Sequence, residues 1–391
     1  MKRALVMMVL WMGAVHLMGC TQDADDERAA IQPDTDANND TSPGAQEPLP
    51  IDGPGAFNVG FQRHEFQYTP AGQEALRTIR VVIWYPTEDT EGEDAYYGDL
   101  LPREGIFDGA SVALNAPAPV LIFSHGSQAV AEQSWTTMEF YASHGWIVVA
   151  MDHPDNTLFD NTGDMASQID WRPQDVSHTL DYIEALQGPE TLANLFSDQI
   201  MMGGHSFGGT TTLIVSGAGF DVDNLDEVCE FFNENCQVLE EARGRLAQGY
   251  HDPRIKVAFS MTPGGYVLFS DEGLAKIQIP MMIITGGRDS RLPNEEEGDP
   301  IWAAMERDDN LRLDFPQAGH LTFSNLCELI SGFGEDDGCG DDFMDPAEAH
   351  RVVNAYTMAF ARHHLQANDT DTDLITGQRT FSNEVVISVA P

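Results

Sequence analysis

Residues 199–216 read QIMMGGHSFGGTTTLIVS. Gln199 to Gly203 is a short apolar run of strand character, and Phe207 to Ser216 has the length and small-residue content of a buried helix. Between them lies Gly204-His205-Ser206-Phe207-Gly208, a G-x-S-x-G pattern. On its own that pattern arises often by chance. Placed between a strand and a helix, it describes a turn so tight that the neighbours of Ser206 must be small, as Gly204, Gly208 and Gly209 are. Such a turn lifts the Ser206 hydroxyl above the sheet edge. It also sets the hydroxyl at a helix N-terminus, whose dipole favours developing negative charge.

Outward from this turn, short apolar runs alternate with longer amphipathic ones. Ile79 to Tyr85 alternates like a strand, whereas Pro119 to Ser124 and Trp146 to Met151 are continuous apolar runs, as in strands buried on both faces of a parallel sheet. Further strands are expected at Lys256 to Met261, Pro280 to Thr285 and Leu311 to Phe315. Helices are expected at Glu132 to Ser143, at Asp175 to Leu186 and, with an Asp-Pro start, at Asp345 to Leu365. This alternation predicts an α/β fold, with a mainly parallel central sheet flanked by helices. Phe220 to Tyr250 is longer than a simple connection and is expected to form a small insertion, a cap over the site.

Ligands of open α/β sheets bind beyond the carboxyl ends of the strands, and reactive residues fall there. The strand ending at Thr285 runs into Gly286-Gly287-Arg288-Asp289, and the strand ending at Phe315 into Gln317-Ala318-Gly319-His320. The order Ser206, Asp289, His320 is that of a serine nucleophile, its acid and its base in α/β-hydrolases. His320 would take the Ser206 proton and return it to the leaving group, while Asp289 would fix the histidine tautomer. The backbone N–H groups of Ser127, after the strand Pro119 to Ser124, and of Phe207 would form the oxyanion hole. Gln128, His153 and Trp135 are candidate pocket residues. Asp271, Glu272 and Glu295-Glu296-Glu297 are rival acids, but the strand Lys256 to Met261 ends in Thr262-Pro263 without a carboxylate, which favours Asp289.

The stretches PVLIFSHGSQAV, FYASHGWIVVAMDHPDNT, GHSFGGTTT, PMMIITGGRDS and AGHLTFS resemble the platelet-activating factor acetylhydrolase and dienelactone hydrolase branch of the α/β-hydrolases. They are also similar to bacterial cutinase-like polyester hydrolases. The likeness spans roughly Arg80 to Leu365 and implies hydrolysis of carboxylic esters by a serine triad, without a cofactor or metal. The chain departs from the acetylhydrolases in having no acid after the Lys256 to Met261 strand. It departs from the dienelactone hydrolases in having Ser rather than Cys at the turn. Three readings follow: a serine esterase, a polyester or lipid hydrolase, and, in another class, a catalytically silent binding lipoprotein.

The N-terminus, MKRALVMMVLWMGAVHLMGC, has a basic start and an apolar run of about 15 residues, too short to span a bilayer. Its end, Leu17-Met18-Gly19-Cys20, resembles a bacterial lipobox. That likeness implies a signal peptide over 1–19, lipidation of Cys20, and export to an outer membrane or cell surface, with plain secretion as the alternative. Residues 20–55 form an acidic, Pro- and Gly-containing stretch that cannot bury enough surface to fold. The catalytic domain is expected at 56–368 and a C-terminal tail at 369–391.

With 20 basic and 63 acidic residues among 391, the chain carries a formal charge of −43. From Ala56 onward 17 basic face 54 acidic residues, a net of −37. Nucleic acid and anionic membrane surfaces are excluded as electrostatic partners. The remaining expected partners are small or polymeric esters, with membrane contact only through the lipid, and a monomeric state. Besides Cys20, the four cysteines Cys229, Cys236, Cys327 and Cys339 suit two disulfides in an exported chain. Local pairing, 229 with 236 and 327 with 339, is the favoured one of three. The first pair needs a helix break between its members, because seven helical residues span about 10 Å. The Asp-rich runs, including Glu335-Asp336-Asp337, lack calcium-loop spacing and read as solvated loops.

Overall fold

Strand pairing in the computed structural model follows the apolar runs. Residues 50–98, 100–186, 192–232, 237–329, 332 and 334–390 are described. The expected signal segment, Cys20, almost all of the acidic stretch and Cys236, with the expected Cys229–Cys236 bond, lie outside them.

The chain begins with β1 (Asn58–Tyr68), β2 (Arg77–Thr87), β3 (Asp94–Tyr97) and β4 (Leu101–Asp108). The α/β part then runs β5 (Ala118–Ser124), α1 (Trp135–Ser143), β6 (Ile147–Met151), α2 (Met165–Ala185), β7 (Phe196–His205) and α3 (Phe207–Val215). After α4 (Leu225–Phe232) and α5 (Gln237–Gln248) come β8 (Ile255–Met261), α6 (Asp271–Leu274), β9 (Met281–Gly286), α7 (Gly298–Ala303) and β10 (Leu311–Phe315). The chain closes with α8 (Leu326–Leu329), α9 (Pro346–Gln366), α10 (Thr372–Ile375) and β11 (Val386–Val389).

The eleven strands of the described residues share one sheet, in the order β11-β10-β9-β8-β7-β5-β6-β2-β1-β4-β3. The six strands from β6 to β10 across its centre are mutually parallel. Their side chains alternate between two cores. Leu121, Phe123 and Val148 pack on the face covered by α1 and α9, and Val120, Ile122 and Val149 on the face covered by α2 and α3. From β5 the chain steps to β6 on one side and then returns to β7 on the other. The carboxyl ends of β5 and β7 therefore flank the crevice where open α/β sheets hold ligands.

Three expectations change. The helix expected from Asp175 starts at Met165, capped by Asp164 and passing through Pro173. Along it Asp170, Arg172, Gln174 and Asp175 are buried and hydrogen-bonded, which breaks the apolar period. The described residues of the Phe220 to Tyr250 insertion pack beside α2 rather than over the crevice. Arg245 and Tyr250 bind Asp170 of α2, and none of its described residues lines the crevice. The residues set apart as a tail include α10 and β11, and β11 pairs antiparallel with β10 at the sheet edge. That strand is only four residues long, Val386-Ile387-Ser388-Val389, so its β-branched run is a short signal.

Candidate active site

The turn after β7 holds Ser206 at φ 58°, ψ −122°. A non-glycine residue in this region is strained and persists only where its surroundings fix it. Here they do. The Ser206 N–H donates to the Met261 carbonyl at 2.9 Å. A Cβ on Gly204 would lie 2.2 Å from the Gly208 carbonyl oxygen, and one on Gly208 would lie 1.9 Å from that of Ser124. No side chain larger than hydrogen fits at either position.

The strain aims the Ser206 hydroxyl at His320, whose Nε2 is 2.9 Å from Oγ. His320 Nδ1 is in turn 2.7 Å from Asp289 Oδ2. The other carboxylate oxygen of Asp289 accepts the N–H groups of Arg291 (3.0 Å) and Leu292 (2.8 Å). Ser206, His320 and Asp289 thus form one hydrogen-bonded line, on three loops at the carboxyl ends of β7, β10 and β9. Asp289 and His320 are buried, whereas Ser206 opens into a cleft of about 110 Å³ lined by Ser127, Met165, Phe207, Thr210, Gly264 and Leu292. A larger cavity of about 370 Å³, between residues 51–59, α1 and α9, contains none of these groups.

The loop after β5 reaches the same cleft. Gly126 N–H donates to Gln133 Oε1 at 2.6 Å. Gln133 Nε2 meets His205 Nδ1 at 2.5 Å, and His205 Nε2 meets the His320 carbonyl at 2.8 Å. A carbonyl can only accept, so His205 carries its proton on Nε2 and takes a bond from Gln133. Burial, reinforced by the neighbouring His320, lowers the His205 pKa to about 3, so it stays neutral. Phe207 is the first residue of α3, where backbone N–H groups lack intrahelical partners.

The pocket candidates separate. Gln128 is exposed next to Ser127, in left-handed backbone at φ 60°. It does not line the cleft, and neither do Trp135 and His153, so all three are corrected. Trp135 is buried against Tyr97 beneath Arg103. His153 is fully buried, with Nε2 2.8 Å from Ser124 Oγ and Nδ1 2.8 Å from Asp175 Oδ2. Burial, with Arg172 nearby, lowers its pKa to about 3. Asp175 also accepts from Tyr68 and Arg77. Burial raises the Asp175 pKa, but Arg77 and His153 outweigh it and leave it below the usual range.

Asp337 is a further correction, because it is not in a solvated loop. It is 2 % exposed, and its Oδ1 accepts the N–H of His320 at 3.0 Å and that of Ser290 at 3.3 Å. Its Oδ2 accepts Arg291 Nε at 3.1 Å. The Cys327–Cys339 disulfide, with Cα atoms 5.3 Å apart, closes the loop that carries it. Its position inside a cysteine-bounded loop just beyond His320 was the one available signal.

A solved ferulic acid esterase from Streptomyces cinnamoneus superimposes with a TM-score of 0.62 at 21% identity, covering 86% of this chain and 98% of that one. The chain has an α/β-hydrolase-like fold. No protein-family model matches it, and no curated protein matches it either. In this fold the loops after β5, β6, β7, β8 and β9 contribute to the cleft lining, and the loop after β10 brings His320 to Ser206.

Proposed function

We propose that this chain is a serine hydrolase of carboxylic esters, working through an acyl-enzyme. The observation that carries the reading is the Ser206–His320–Asp289 line, with a strained Ser206 at the mouth of a cleft. His320 Nε2 takes the hydroxyl proton as Ser206 Oγ attacks the ester carbonyl. Asp289 stabilises the resulting imidazolium, and the N–H groups of Ser127 and Phe207 receive the oxyanion. His320 then protonates the leaving alcohol, and water repeats the sequence to release the acid. The likeness of fold to a ferulic acid esterase supports the choice of esters.

A second reading, hydrolysis of polymeric or lipid esters, rests on the rim. Leu158 and Phe159 are exposed at 38% and 61%, and the Leu158 N–H donates to Ala129 at 2.9 Å, on the loop that carries Ser127. Two exposed apolar residues on a segment bonded to the loop that carries Ser127 suit an apolar substrate surface. As an exported, lipid-tethered enzyme, the chain would meet such substrates outside the cell.

The test is a panel of aryl esters of rising acyl length, with methyl ferulate and a suspended polyester, on the full chain and on Ser206→Ala. Hydrolysis that disappears in the variant supports the reading. Wild-type inactivity on every substrate favours a silent binding protein. Turnover of soluble esters but not of the polyester removes the second reading.

A further inference from the structure

Resting on that reading, we infer that Arg172 is the positioning residue of the oxyanion hole, holding both of its donors from behind. Arg172 lies on α2 and is fully buried. Its Nη1 donates to the His125 carbonyl at 2.7 Å, and its Nη2 to the Gly126 carbonyl at 3.1 Å and to Asn156 Oδ1 at 2.7 Å. Its guanidinium carbon stands 4.5 Å from the centre of the Phe207 ring. One cation therefore touches the peptide before Ser127 and the side chain of Phe207, the two residues whose N–H groups face the developing charge.

The direction of the donor follows from the planar trans peptide. The Gly126 carbonyl and the Ser127 N–H belong to one unit and point opposite ways. Three donors fix that carbonyl: Arg172 Nη2, His125 Nδ1 at 2.6 Å and Ala129 N–H at 3.4 Å. With the oxygen pulled toward Arg172, the Ser127 N–H points away from it, on the side where Ser127 lines the cleft. A cation on the carbonyl also polarises the peptide and strengthens its N–H as a donor. Asn156 extends the hold, because it accepts from Arg172 and donates to Ser127 Oγ at 3.2 Å. Burial lowers the Arg172 pKa to about 9, which leaves the guanidinium charged at neutral pH. A lysine can reach one of these partners but has no planar fork to hold two carbonyls at once.

The test compares an aryl ester with its thionoester, in which sulfur replaces the carbonyl oxygen, on wild type, Arg172→Lys and Arg172→Met. Sulfur accepts N–H bonds poorly, so a working hole gives a large ester-to-thionoester ratio of kcat/KM. That ratio is independent of the fraction of enzyme folded, so loss of stability in either variant does not confound it. We expect kcat on the ester to fall about 10²–10³-fold in Arg172→Met, with KM nearly unchanged. The ratio should collapse in Arg172→Met and fall partway in Arg172→Lys. An unchanged ratio in the variants, whatever their melting temperatures, overturns the inference. Failure of wild type to turn over the ester in a Ser206-dependent manner overturns the underlying functional reading instead.

Discussion

Asp337 Oδ1 accepts the backbone N–H of His320 at 3.0 Å and that of Ser290, the residue following Asp289, at 3.3 Å. A single buried carboxylate therefore ties together the loops bearing the two partners of Ser206. Asp337→Ala should lower kcat more than it changes KM, because a misplacement of about 1 Å in a reacting group can cost around 10²-fold. Steady-state kinetics on a short aryl ester checks this. An unchanged kcat would leave Asp337 as a packing residue only. Cys327→Ser should act in the same direction more weakly, since Asp337 keeps its own bonds.

Ser206→Ala and His320→Ala should each reduce ester hydrolysis by about 10⁴–10⁶-fold, and the double variant should be little worse than either, because such residues act as a unit. Asp289→Asn should also be strongly impaired. The measurement is initial rate with circular dichroism to verify folding. Full activity in Asp289→Asn would direct the search to another carboxylate.

Glu297 carries a pH signature. Burial, with the charges of Glu296 and Asp289, raises its pKa to about 7, although the Tyr266 and Gly265 N–H groups oppose the shift. Between about pH 4.5 and 7 the unfolded chain has lost this proton and the folded chain keeps it. Stability from Glu297 is therefore complete below about pH 4.5 and is lost as pH rises through about 7. Glu297→Gln keeps an acceptor for the Tyr266 N–H and removes the titration. Relative to wild type, its melting temperature should be higher at pH 8 than at pH 5. A difference that does not vary with pH would refute this account.

Self-repulsion should be visible in salt dependence. With a net charge of −37 from Ala56 onward, screening on going from low salt to about 1 M sodium chloride shortens the Debye length to about 3 Å and should raise the melting temperature. Sodium chloride and an uncharged osmolyte compared by differential scanning fluorimetry separate screening from general exclusion. A flat response to the salt would show that the acidic surface serves solubility alone.

The parts of the fold that were legible in the sequence are those driven by apolar burial or by punctuation. The continuous runs at β5, β6 and β9, the glycines around Ser206 and the Asp345-Pro346 start of α9 each carry a local signal. The buried polar frame carries almost none. Arg172, Gln133, His153 and Asp337 look like surface residues in one dimension, and their roles exist only once distant loops converge. His153 was expected in the pocket because it ends a strand on the correct side. Its hydrogen bonds with Ser124 and Asp175 turn it inward instead.

That inward turn gives the molecule a counterfeit. Ser124, His153 and Asp175 repeat the residue types and near distances of Ser206, His320 and Asp289, yet Ser124 sits in a regular strand with none of its surface exposed. A template match on side-chain distances alone would score both constellations alike. On the proposed function, backbone twist and access to the cleft decide which serine reacts, so a fluorophosphonate probe should mark Ser206 and pass over Ser124.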